Sequence, residues 1–131
     1  NNQAEIIILD SPPGTSCPFI QTVEPADYII LVTEPTPFGL SDLKQSVEIL
    51  KTINKSFGVI INRVGIGNME VYDYLTQENI PLLLEIPFKK EIAELYSVGK
   101  IESEKDFILE KQLFDTVENI ILQYGSSYNK R

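Results

Sequence analysis

The chain has 131 residues, 43% hydrophobic and 23% charged, which is enough to bury one sizeable core and too few for two ordinary domains. Nineteen acidic residues against eleven basic ones give a formal charge of −8, which leaves no electrostatic footprint for nucleic acid or for an anionic membrane surface. The one cysteine, Cys17, excludes an internal disulfide and any cysteine-based cluster built from this chain alone. No apolar run approaches the roughly 20 residues of a membrane span, so a soluble protein in a reducing, cytoplasmic setting is expected.

The apolar run Ile6-Ile7-Ile8-Leu9 opens the chain with almost no polar lead-in and no signal-peptide pattern. A cut chain is therefore expected, with a small domain that simply begins on a strand as the alternative. Further runs follow at Tyr28-Ile29-Ile30-Leu31-Val32, Val59-Ile60-Ile61 and Ile80-Pro81-Leu82-Leu83-Leu84. Continuous, β-branched-rich runs without alternation predict strands buried on both faces, as in a parallel sheet. Between the second and third runs, Leu40, Leu43, Val47 and Leu50 step by three and four, which predicts a helix ending before Phe57-Gly58. Asp42 reads as a first-turn acid of that helix. Gly65-Ile66-Gly67 lacks the spacing of a dinucleotide fingerprint and reads as a flexible connection. A second helix is expected with Asn68 as N-cap, Glu70 in its first turn, and Met69, Tyr72 and Leu75 facing inward.

After the run at Ile80 come a short segment at residues 89–96 and a charged stretch at residues 102–106 that reads as a surface loop. The last helix is expected to bury Phe107, Leu113, Phe114, Val117, Ile120 and Ile121 and to stop at Gly125. Asp115 and Glu118 on its polar face favour core packing over membrane targeting. Residues 1–125 are thus expected to form one domain, followed by a polar tail at residues 126–131.

Four alternations of strand and helix imply an α/β fold, an open parallel sheet with helices on both faces, and such sheets bind ligands at the C-terminal ends of their strands. The first run ends in Asp10-Ser11-Pro12-Pro13-Gly14-Thr15-Ser16. A carboxylate fixed at a strand end can hold Mg²⁺, and the Pro12-Pro13-Gly14 loop after it offers backbone to a phosphate, with Gly14 supplying a bare N–H. The same residues also spell a turn. Asn62 ends the third run, where its amide can donate and accept at a base edge or cap its own backbone. Pro87 can lie against a planar ring or simply stop a strand. Arg63 can pack against the same ring or stand in solvent. Cys17, among apolar neighbours, reads as a buried small hydrophobe.

Residues 8–18, Ile-Leu-Asp-Ser-Pro-Pro-Gly-Thr-Ser-Cys-Pro, resemble the switch II segment of the MinD/Mrp/ParA-type P-loop ATPases. Residues 33–43, Thr-Glu-Pro-Thr-Pro-Phe-Gly-Leu-Ser-Asp-Leu, resemble the MinD-like branch that carries an inserted ferredoxin-type domain. The likeness continues through Asn62-Arg63 and Glu85-Ile86-Pro87. It implies the C-terminal half of a P-loop ATPase domain that binds and hydrolyses ATP with Mg²⁺. Asp10 would be the Mg²⁺ carboxylate and Gly14 the γ-phosphate sensor, both catalytic. Pro12, Pro13, Asn62, Arg63 and Pro87 would be cofactor-binding.

It also implies a homodimer in the full-length protein, an iron–sulfur or electron-transfer partner, and a [4Fe-4S] cluster upstream. Nucleic acid and stable membrane insertion are not expected. The chain itself has no Gly-x-x-x-x-Gly-Lys-[Ser/Thr]; its one Gly-Lys pair, Gly99-Lys100, is followed by Ile101. Alone it is therefore expected to be inactive, because phosphate positioning dominates phosphoryl transfer. A P-loop strand normally lies in mid-sheet, so its absence is expected to expose strand edges. Two other functions fit: a non-catalytic regulatory or interaction domain of doubly wound fold, and an ATP-dependent amide ligase or biotin-pathway synthetase, against which residues 33–40 argue.

Overall fold

The computed structural model describes residues 6–90, 94 and 104–125. Its elements run α1 (Cys17–Val23), β1 (Ile29–Thr33), α2 (Pro37–Thr52), β2 (Phe57–Val64), α3 (Glu70–Gln77), β3 (Leu82–Pro87) and α4 (Glu104–Tyr124). The three strands are parallel in the order β1-β2-β3, with Ile29 opposite Phe57 and Thr33 opposite Ile61. The expected α/β architecture with an open parallel sheet is observed.

Strand β2 lies at the centre, and its run Val59-Ile60-Ile61, apolar on both faces, is buried throughout. On one face Val59 and Ile61 meet Leu43 and Val47 of α2 and Val71 and Leu75 of α3. Beside them, Phe19 and Val23 of α1 pack with Ile29 and Leu50. Each such side chain contributes about 1.5–3 kcal/mol on burial. Helix α4 lies along β3 and adds nothing to these two clusters, so it serves the other face.

Helix α2 starts sharply because Thr36 Oγ1 accepts from the Gly39 N–H at 3.0 Å and Pro37 opens the first turn. It ends where Asn54 turns left-handed at φ 56°. Beyond it, the Lys55 amino group donates to the carbonyls of Glu24 and, at 3.0 Å, Ala26, tying the end of α1 to the approach of β2.

Several expectations need correction. Residues 6–9 form no strand: all four are exposed, Ile8 by 84%, and they join no ladder. The reason is topological. Crossovers β1-α2-β2 and β2-α3-β3 are right-handed with their helices on one face, so the sheet grows in one direction. Helix α1 shares that face, and among the described residues the outer edge of β1 carries no further strand. There Val32 is 63% exposed on the open face.

Helix α3 is capped by Met69, which is 62% exposed, while Val71 and Leu75 are the buried pair. Asn68 helps from one residue further out, its Oδ1 accepting from the Glu70 N–H at 3.0 Å. Asp42 falls after the first turn of α2, which holds no acid. The charged stretch at 102–106 is helical from Glu104, since nothing between there and Phe107 is a glycine or proline. Helix α4 ends at Tyr124 with the Gly125 N–H bonded to the Ile121 carbonyl at 2.8 Å, but Phe107 and Phe114 face outward. Packed mainly against β3, the helix half-buries Leu109, Thr116, Val117, Ile120, Ile121 and Tyr124, and Leu113 stays exposed as well.

Cys17 is exposed at the first position of α1, because Phe19 and Val23 take the inward face. The turn Gly65-Ile66-Gly67 is packed rather than loose: Gly67, at φ 82°, is so close to the Pro35 carbonyl that a Cβ would lie 1.7 Å from its oxygen. The Asn68 N–H donates to that same oxygen at 3.0 Å. The tail at 126–131 and most of the segment at 89–96 lie outside the described residues.

Two stability predictions follow from this packing. Leu50→Ala should lower unfolding stability by about 2–5 kcal/mol in a denaturant titration, whereas Leu122→Ala, at a side chain 80% exposed, should leave the midpoint nearly unchanged. Gly67→Ala should destabilise by more than about 1 kcal/mol, through both its left-handed backbone and the blocked approach to Pro35.

Candidate functional site

The C-terminal ends of the three strands converge on one cluster, built by an irregularity in the ladder. Along β2 and β3, Ile61 pairs with Glu85 and Val64 with Pro87, so Asn62 and Arg63 together stand opposite the single residue Ile86. This is a bulge, rare between parallel strands. Arg63 takes the left-handed conformation at φ 56°, and its N–H donates to Asn62 Oδ1 at 2.9 Å. The ladder then resumes, with the Phe88 N–H donating to the Val64 carbonyl at 2.8 Å.

The bulge throws the Arg63 side chain across the strand tips. Its guanidinium carbon lies 5.0 Å from the centre of the Phe88 ring, a cation–π distance. One guanidinium nitrogen lies 3.4 Å from Glu34 Oε1, which stands just past β1. Each of the three strand ends thus contributes: Glu34 from β1, Asn62 and Arg63 from β2, Pro87 and Phe88 from β3. Thr33 steadies the first of these, its hydroxyl donating to the Gly39 carbonyl at 3.0 Å. Behind the cluster, the Tyr72 hydroxyl donates to Glu85 Oε1 at 2.7 Å. Burial first, and the bond to Glu85 second, push the Tyr72 phenol up to about 12, so it stays a neutral donor at physiological pH.

Of the residues singled out from sequence, Asn62, Arg63 and Pro87 are brought together. Asp10, Pro12, Pro13 and Gly14 are not: all are exposed on the segment before α1, and the recorded contact there is Ser11 Oγ donating to the Pro12 carbonyl at 3.2 Å. Gly14 has φ 92°, with open space where a Cβ would stand. Among the described residues no three acidic or cysteine side chains group as a metal site, so Asp10 offers a single carboxylate. Sequence reasoning passed over Glu34 and Phe88 as site residues. Their signal was position, each standing directly beyond a strand tip.

Chemically, the cluster offers a half-buried amide that retains its NH₂ donor pair, a planar cation and two apolar rings. That set suits a flat heteroaromatic group with hydrogen-bonding edges. At the opposite end of the strands, an open groove lined by Tyr28, Leu82, Leu83, Asn119, Ile120 and Tyr124 offers apolar and neutral polar groups only. The Tyr28 and Tyr124 rings meet there at 4.6 Å.

No protein-family model matches the chain. An uncharacterized protein of Methanocaldococcus jannaschii, MJ0579, is 33% identical over 101 residues, covering 76% of this chain and 34% of the relative. A second from that organism, MJ0578, is 32% identical over 85 residues, covering 65% and 30%. A third, named an uncharacterized ATP-binding protein, MJ0823, is 27% identical over 99 residues, covering 73% and 38%. The chain therefore spans about a third of the length of the curated relatives it matches, and one of those relatives carries a nucleotide in its name.

Proposed function

We propose that this chain forms the base-side part of an ATP-binding and ATP-hydrolysing switch protein of the MinD/Mrp type, whose phosphate-binding loop lies elsewhere in the whole polypeptide. The observation that carries this reading is the convergence of Asn62, Arg63 and Pro87 at the C-terminal strand tips, where open α/β sheets hold ligands. The name of the 27%-identical relative agrees with it. In this reading the Asn62 NH₂ donates to the adenine edge and its oxygen keeps a second lone pair for the exocyclic amine. Pro87 lies against the ring.

The phosphate end belongs to Asp10 and Gly14. One carboxylate suits Mg²⁺, which is usually bound through one or two carboxylates together with the nucleotide phosphates. Bound Mg²⁺ supplies neutralisation of phosphate charge. Asp10 would hold it, Pro12 and Pro13 would stiffen the loop that follows, and the Gly14 N–H would face the γ-phosphate. This requires residues 6–9 to be anchored. We infer that a strand from outside residues 1–131 fills the place between them and β1, giving both the exposed run and the free β1 edge a ladder partner. An iron–sulfur cluster would need thiolates from outside residues 1–131 besides Cys17. Closure of a homodimer across the Asp10–Gly14 loops on ATP binding is part of the same proposal.

A non-catalytic regulatory domain is the second reading, favoured by the bond of Asn62 Oδ1 to its own chain and by the unanchored Asp10 segment. The two readings separate on the whole polypeptide. Asp10→Ala should abolish steady-state ATP hydrolysis; normal turnover in that variant would end the ATPase assignment. Asn62→Ala should weaken ATP binding about tenfold by calorimetry, the loss of one to two hydrogen bonds. In hydrogen exchange the amides of residues 6–9 should be protected in the whole protein and exchange freely in the isolated 131-residue chain.

A further inference from the structure

We infer that Glu34 and Phe88 are positioning residues that hold the Arg63 guanidinium as a preformed platform, on which the face of a nucleobase stacks. The inference rests on the nucleotide reading above and adds to it how the ring face is recognised. Three observations carry it, beginning with the backbone.

Among the described residues, three other than glycine have positive φ: Asn54, Arg63 and Asn79. The two asparagines follow α2 and α3, a position where asparagine is well tolerated. Arginine has no such tolerance, and a glycine at position 63 would make the same bend without a Cβ clash. A costly conformation at a strand tip marks a side chain that is kept for what it does.

The second observation is the bulge. A regular strand would continue the alternation of faces past Ile61, whereas the extra residue re-aims Arg63 across the tips of β1 and β3. The third is the pair of partners. Glu34 comes from 29 residues away, just past β1, and Phe88 from just past β3, so the guanidinium is held by residues at the tips of both neighbouring strands. Exposed ion pairs of this kind contribute little to stability, and the side chains of Arg63 and Glu34 are 46% and 40% exposed. Their arrangement is better explained by positioning. A planar, delocalised cation stacks readily on aromatic faces, and orienting it in advance lowers the ordering cost of binding.

The test is made on the whole polypeptide, with ATP and inorganic tripolyphosphate as paired probes. Arg63→Gly should fold at least as stably as the native protein and bind ATP about tenfold more weakly, while its affinity for tripolyphosphate, which has no ring, stays unchanged. KM for ATP should rise with kcat unaltered. Glu34→Gln and Phe88→Leu should each weaken ATP binding a few-fold in the native background and have no further effect in Arg63→Gly. Native ATP affinity in Arg63→Gly, equal losses for ATP and tripolyphosphate, or fully additive effects of the Glu34 and Phe88 changes would each overturn the platform and leave the nucleotide reading intact. Failure of the native whole protein to bind ATP at all would overturn both.

Discussion

Everything in this chain is referred to β2. It is the strand with a partner at each edge, and Val59, Ile60 and Ile61 bury both of its faces. The apolar runs of β1 and β3, at the edges, leave Ile30, Val32 and Leu82 exposed, whereas the run of β2, flanked on both sides, is buried throughout. Helices α2 and α3 then close one face through Leu43, Val47, Val71 and Leu75. In an interior packed to crystal-like density the register of β2 cannot slip, and the irregularity after Ile61 therefore lands at one fixed place.

That place is locked a second time by backbone contact between loops. The turn at Gly67 seats against the Pro35 carbonyl, and a Cβ at Gly39 would come within 2.4 Å of the Glu34 carbonyl oxygen. The loops that leave β1 and β2 consequently form one packed unit, and Glu34 reaches Arg63 from a rigid base. Such rigidity is what a recognition site on loops requires, because a guanidinium free to swing would have to be ordered by the ligand itself.

The other side of the sheet is unsaturated. The free edge of β1, the outward Val32, the exposed run at residues 6–9 and the outward Phe107 and Phe114 of α4 are apolar surfaces that a complete doubly wound domain would cover. The matched relatives are about three times longer than the stretch they share with this chain. The described residues give the Asp10 segment no adjoining strand, whereas Asn62 and Arg63 already stand beside Glu34 and Phe88 at adjoining strand tips. The same division explains why residues expected to share one site fall into two groups here.

The sequence by itself determined the fold class, the three paired strands, the apolar stripe of α2 and the stop at Gly125, because each depends on local periodicity or on the conformational limits of one residue type. It also placed Asn62, Arg63 and Pro87 at strand ends. Tertiary structure alone decided that residues 6–9 lack a ladder, since strand pairing is a property of the partner as much as of the run. It decided the phase of α3, where shifting the cap to Met69 turned Val71 inward, and the exposure of α4, which depends on how much of the sheet it finds to cover. The grouping of Glu34, Arg63 and Phe88 was likewise illegible in one dimension. A bulge leaves no composition signal, and side chains 25 and 29 positions apart meet only once the register between three strands is set.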